Sequence, residues 1–507
     1  MLLPDEPMTG GALIEATFQP EDVPDARLLR RLKTTANGML RAMMGEGDER
    51  PQNVKRAERR GASRLYVNVR LNADLLGQQA QRCCVEAIKS LRRVLVAHDT
   101  VEFDLHGRYE PADAGPLRSS QARGYLLHHG VVLDPTNDAR LGILYMLVWT
   151  RPFPEGKRPE GTHPVEPAWH NEDDKWGCGV NLSEKALARG GFQGHVRHLV
   201  DNEGSSYASL VRAKRRGRDY IARTKVERNI AEGSGKLFEY LLEQPVVQRW
   251  TIEVEEDPKS IARGTSRRRR RAQVEMRFAS VTLQPTCNYT GRWYREGLPV
   301  SAVYVYEPEP PAGSEPLSWM LLSVQPIGSK AAAEEVVLDY KNRWGVEDIN
   351  KVLKSGCHAE LAVVPDIDAF RRLLAVAWPI AMHIARWTYA ARVCPLEPAA
   401  PHLGDEAIDV LKLACRYHHL PLPHRPWTLS DVILRLAEMG GYEPRKDQPP
   451  GWKVIWRGWR VFNNFWDHLR FIRDQEAALT SPVGRAPPLG PEPVLRPAGS
   501  AANPRQT

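Results

Sequence analysis

The run Tyr340-Lys-Asn-Arg343-Trp-Gly-Val-Glu347-Asp-Ile-Asn-Lys351-Val-Leu-Lys354 sets one carboxylate among cations and a phenol at helical spacing. At about 100° per residue, Tyr340, Arg343, Glu347, Lys351 and Lys354 fall within about 80° of one arc. Val346, Ile349, Val352 and Leu353 take the opposite side and suit a core. A carboxylate flanked by bases suits a divalent cation held beside phosphodiesters, with the bases on phosphate oxygens. Glu/Lys pairs are also common on any surface helix, so the stripe needs partners before it means chemistry.

Two aspartates supply them. Asp99 follows the apolar run Val94-Leu-Val-Ala97, and Asp201 follows His-Leu-Val200. Each is expected at a strand end. Three carboxylates from two strands and a packed helix can hold two divalent ions about 3.5–4 Å apart, one activating a nucleophile and one stabilising the leaving oxygen. Asp at a strand end is more often a turn residue, so each alone carries little.

These residues require an α/β framework. Val94–Ala97, Gly124–Leu133 and Leu141–Thr150 read as strands, Ser183–Arg189 as helix and His195–Val200 as strand. A helix over Ser205–Arg215 and a short strand at Tyr220–Arg223 follow. That order is compatible with a ribonuclease H-like catalytic core, a mixed sheet flanked by helices. A β-rich insertion interrupts it, with alternating segments at Val274–Phe278 and Val303–Tyr306 and an arginine run at Arg267–Arg271. Helical N- and C-terminal regions complete the reading. The expected divisions are a flexible leader at 1–25, a helical DNA-binding region at 26–91 and the first part of the core at 92–225. The insertion follows at 226–320, the second part of the core with the catalytic helix at 321–390, a helical dimerisation region at 391–479 and a disordered tail at 480–507. Phe370–Ala391 is too charged to span a bilayer and reads as a buried helix kinked at Pro379.

The spacing Y-(2)-R-(3)-E-(6)-K resembles the signature of the YREK cut-and-paste transposases, the insertion-sequence-four family of bacterial DDE transposases. Asp99-Thr-Val-Glu102 is similar to that family's D-T-T-E element, and Asp201-Asn-Glu203-Gly to its D-R-E-A/G element. Arg223-Thr-Lys225, Pro316-Leu-Ser-Trp319 and Gly451–Trp459 also resemble family segments, in the same order over roughly residues 60 to 470. The resemblance implies that Asp99, Asp201 and Glu347 are the catalytic, metal-binding triad, with Mg²⁺ as cofactor and Mn²⁺ as its alternative. It places Arg223, Lys225, Tyr340, Arg343, Lys351 and Lys354 on DNA and has Trp319 stack on a flipped base. The partners implied are double-stranded DNA, at element ends and target, and a second copy of the chain. The chain departs from the pattern at Asn202 for Arg, Ser205 for Asp and Val101 for Thr. None of these removes a metal ligand.

Composition agrees with such a partner. The 507 residues carry a net charge of +8 and a pI near 9.1, a balance suited to nucleic acid. Seven cysteines without metal-type spacing suggest neither a disulfide framework nor a zinc ribbon, so a cytoplasmic protein is expected, and the resemblance implies a bacterial one associated with the nucleoid when on DNA. No membrane partner is expected. Gly233-Ser-Gly235-Lys236 lacks the spacing and the hydroxyl of a P-loop, so no nucleotide cofactor is expected either. The paired histidines, His128-His129 and His418-His419, are read as structural. Two other readings remain open: a host nuclease of the same fold, and a non-catalytic transposase-derived protein that binds DNA ends.

Overall fold

Val94-Leu-Val-Ala97 is apolar at every position, as a strand covered on both faces must be. It lies within β1 (Arg93–Asp104) of a computed structural model that describes residues 14–15, 17–43, 56–105, 110–118, 122–137, 139–165, 167, 169, 171–254, 270–286, 291–444 and 450–480. The other strands are β2 (Gly115–Pro116), β3 (Arg123–Leu133), β4 (Arg140–Trp149), β5 (His195–Val200), β6 (Asp219–Thr224), β7 (Gln248–Val254), β8 (Arg270–Leu283), β9 (Leu298–Tyr306) and β10 (Ser318–Ser323). All ten join one sheet, ordered β4-β3-β1-β5-β6-β10-β9-β8-β7, with β2 at the start of β3. The fold is mixed α/β. β3 runs antiparallel to β1 and β4, β5 runs parallel to β1 and β6, and the remaining pairs are antiparallel.

One expectation is corrected by this sheet. Asp99 is not at a strand end, because β1 continues to Asp104 on the support of β3. The 226–320 segment is β-rich, and its strands extend the sheet, since β10 pairs directly with β6. Within the arginine run, Arg270 pairs with Glu307 at 2.7 Å, and both are largely buried. Arg267–Arg269 lie outside the described residues.

The described helices of at least one turn are α1 (Ala26–Met43), α2 (Arg56–Tyr66), α3 (Ala73–Ile88), α4 (Asp174–Arg189), α5 (Tyr207–Arg215), α6 (Leu237–Glu243), α7 (Lys330–Asn342) and α8 (Gly345–Lys351). They continue with α9 (Ile367–Val393), α10 (Ala400–Leu403), α11 (Asp405–Tyr417), α12 (Leu429–Met439) and α13 (Trp452–Thr480). Leu95, Ala97, Val101 and Phe103 send one face of β1 into the core shared with α7, α8 and α9. Val94 and Val96 face the other way, with residues of α3 and α4. The second face continues under α5 and α6. α9 runs unbroken through Pro379. Within the C-terminal region, α12 and α13 cross backbone to backbone. A Cβ on Gly440 or Gly458 would run into the other helix, so glycine is what permits the approach.

The leader expected at 1–25 is in part packed, because Ile14, Phe18 and Val23 are buried in the main core. Residues 1–13 and 481–507 lie outside the described residues. Among the described residues, no helix is long and apolar enough to cross a membrane.

Candidate active site

β1 and β5 pair in parallel register up to Ala97 opposite Leu199. Two residues further in that register, Asp99 comes opposite Asp201 on the same face, since side chains alternate with period two. Asp201 begins the turn after β5. Its Oδ1 accepts the Glu203 N–H at 2.9 Å, and the neighbouring Asn202 Oδ1 accepts the Lys225 N–H at 2.7 Å. The carboxylate loop is thereby tied to the end of β6.

The third carboxylate comes from α8, and here the single helix expected over Tyr340–Lys354 is corrected. α7 stops at Asn342 and the chain tightens through Arg343 and Trp344, with hydrogen bonds from Val346 N–H to Arg343 O and from Glu347 N–H to Trp344 O. α8 then opens into a π-turn over Val352–Gly356. Tight and wide turns change the angle per residue, so the polar stripe is not one exposed arc. Val346, Ile349, Val352 and Leu353 are buried as expected, but so are Tyr340 and Arg343. Lys351 stays exposed near Asp348, and Lys354 pairs with Glu360 at 2.9 Å. Trp344, at the turn, is 52 % exposed.

Two anchors fix this segment to the sheet. Asp339, on α7, is gripped by Arg93 of β1 and Arg197 of β5, and Arg197 also reaches Asp219 at 2.8 Å. On α8, Asp348 pairs with the buried Arg140 of β4 at 3.2 Å. Gly345 leaves room for that guanidinium, which a Cβ would meet at 3.1 Å.

Arg343 is the centre of the site. Its guanidinium lies 3.4 Å from Glu347 and 3.8 Å from Asp99, and 5.7 Å from the centre of the Tyr340 ring. Burial works against its charge, while Tyr340, Asp99, Asp201 and Glu347 together outweigh that and raise its pKa. Asp99 is pushed up to about 7, first by burial and then by the negative charges of Asp201 and Glu347, against the pull of Arg343. Burial also raises Glu347, with Arg343 and Lys351 opposing. Asp99 therefore feels the charges of both other carboxylates as well as that of Arg343.

Hard oxygen donors suit a divalent cation in kind. As placed, they do not close on one: among the described residues, no three His, Cys, Asp or Glu side chains could together hold a metal ion. A guanidinium already stands between two of the three carboxylates. The residues thus do not fit a resident metal in this arrangement.

The other expected site residues spread around this centre. Arg223, on β6, donates to Ser318 O at 3.0 Å and is close enough to Tyr340 to lower its pKa, which burial raises. Lys225 is exposed just beyond β6. Trp319 is half-buried on β10, opposite Val305, and packs against the main core.

Two groups of residues escaped the sequence reading. Asn350 donates to Asp99 Oδ2 at 2.7 Å and receives His129 Nε2 at 2.8 Å. Asn350 sits three residues after Glu347, a helical spacing that could have singled it out. Behind Asp99 and Asp201 runs a closed ring of charges, Glu102, Arg151, Glu172, Lys175, Glu203 and Arg118. Burial favours a neutral Glu172, yet Arg151 and Lys175 prevail and hold it down to about 2. Glu102 and Glu203 lie in recognised motifs, whereas nothing in the sequence ties Glu172 or Lys175 to them. No known protein-family model matches the chain.

Proposed function

We propose that the chain is a DNA transposase of the YREK type, acting on phosphodiester bonds at the ends of a mobile element. The observation that carries this reading is the meeting of Asp99, Asp201 and Glu347 around Arg343. Residues 99, 201 and 347 come from three distant parts of the chain, and their carboxyl groups are coupled through one guanidinium. The order β4-β3-β1-β5-β6, antiparallel on one side of β1 and parallel on the other, supports a ribonuclease H-like core. The net charge of +8 supports an anionic polymer as substrate.

In this reading Arg223, Lys225, Tyr340, Arg343, Lys351 and Lys354 meet DNA near the scissile phosphate. Trp319 takes a flipped base, and base–aromatic stacking of about 1–3 kcal/mol offsets much of the unstacking cost. Mg²⁺ or Mn²⁺ is the cation the family resemblance implies, and two copies of the chain would assemble on paired ends. The products would be a freed 3′-hydroxyl, a hairpin and then a strand joined to target DNA. One observation favours a second reading, a transposase-derived protein that binds DNA ends without cutting: the carboxylates do not close on a metal as placed.

The deciding experiment incubates the purified protein and Mg²⁺ with DNA carrying the sequences that flank its own reading frame, resolved on a denaturing gel. A nick at the element boundary followed by a hairpin supports the transposase. Binding without any strand break supports the second reading.

A further inference from the structure

The Asp99 carboxylate accepts from the Thr100 backbone N–H and from the Asn350 side chain. Its Oδ2 accepts the Asn350 side-chain N–H at 2.7 Å, while its Oδ1 faces the Arg343 guanidinium at 3.8 Å. The Asn350 group that meets it is the NH₂, and the amide oxygen points away. That oxygen lies 2.8 Å from His129 Nε2, which therefore carries the ring proton. His129 stands opposite Asp99 in the register of β3 on β1, is fully buried, and has Trp378 packed edge-on with ring centres 5.0 Å apart. Its Nδ1 makes no hydrogen bond, so Asn350 is its polar anchor. Each link fixes the next, from a ring held by packing to the orientation of a carboxylate.

We infer that Asn350 is a positioning residue for Asp99, and that His129 sets the Asn350 amide so that it engages Asp99 Oδ2 and keeps Oδ1 turned toward Arg343. This rests on the DNA-cleaving reading above for its reaction, and on the geometry alone for its hydrogen bonds. Second-partner groups of this kind typically change activity about 10–100-fold when removed.

The variants Asn350→Leu, His129→Leu and His129→Gln test it. Asn350→Leu keeps the shape of the side chain and removes the donor. It should lower the maximal rate of end cleavage at least about tenfold while leaving DNA affinity close to wild type. His129→Leu should behave likewise. His129→Gln, which offers an amide N–H where Nε2 stands, should restore most of the rate. A wild-type rate in Asn350→Leu, or parallel losses of rate and DNA affinity, would overturn the inference.

A second measurement needs no catalysis. With ¹⁵N-labelled asparagine, one side-chain amide proton of Asn350 should be shifted downfield and protected from exchange, and Asp99→Leu should abolish both. An unshifted, freely exchanging amide in the wild-type protein overturns the inference. A protein that shows the protected amide but never cuts DNA retains the relay and loses the transposase reading. One that cuts DNA without the protected amide does the reverse.

Discussion

The Arg343 guanidinium lies 3.8 Å from the Asp99 carboxylate, an internal cation where three carboxylates come together. It reaches Glu347, one turn along, at 3.4 Å. Neither distance is a tight ion pair, and Arg343 Nε and Nη1 make no hydrogen bond. The guanidinium offsets carboxylate repulsion in the absence of DNA, and its unfilled donors suit a phosphate.

Arg343→Gln should therefore raise the affinity of the DNA-free protein for Mn²⁺, read by electron paramagnetic resonance of the free ion. Removing one charge about 4 Å from a carboxylate changes the interaction by roughly 1–4 kcal/mol at effective dielectric constants of 80 to 20, so an increase of about tenfold is expected. The same variant should weaken DNA binding. Unchanged Mn²⁺ affinity would contradict the counter-cation role.

Stability should fall as pH rises through the range between the unfolded and folded pKa values of Asp99, 3.8 and about 7. Within that window the folded protein retains a proton that the unfolded chain has released, so folding is favoured on the acid side. Above about pH 7 both states are ionised and the loss is complete. Glu347, also raised, acts in the same direction. Asp99→Asn cannot ionise, so urea unfolding should find its advantage over wild type larger at pH 8 than at pH 5. An equal difference at both pH values would show that Asp99 is not held in this way.

Asp339→Ala should lower stability by about 1–3 kcal/mol, because Arg93 and Arg197 lose a shared buried partner while keeping Glu335 and Asp219. Since Asp339 adjoins Tyr340, end cleavage should fall as well. A shift below about 1 kcal/mol in urea unfolding would mean that the Arg93–Arg197 grip does not fix α7.

Trp319→Ala should leave first-strand nicking near wild type and reduce hairpin formation. Quantifying nicked and hairpin products in one time course separates the two steps. Equal loss of both would assign Trp319 to the core against which it packs.

Much of this framework was legible in the sequence because burial dictates it. β5 is legible from its apolar end, and β3 and β4 from their near-continuous apolar runs, which the sheet buries on both faces. The buried side of α8 followed from helical spacing at Val346, Ile349, Val352 and Leu353. The same spacing misjudged Tyr340 and Arg343, because a fixed 100° per residue cannot anticipate a tight turn at Arg343 and a π-turn at Val352. Asp99 looked like a strand terminus because the apolar run ends at Ala97. β1 is instead carried on by pairing with β3, a long-range contact with no local signal. Glu172 and Lys175 pair with each other locally, but Arg151 and Glu203, which tie them into the ring, lie 21 and 28 residues away and only the fold brings them together.

The most direct test compares wild type, Asp99→Asn and Glu347→Gln on DNA carrying the element's own ends, with Mg²⁺, in a single-turnover denaturing gel. The account predicts boundary nicks by the wild-type protein, none above background by either variant, and undiminished end binding by all three. Nicking by either variant at the wild-type rate would contradict the assignment of these carboxylates to the chemistry.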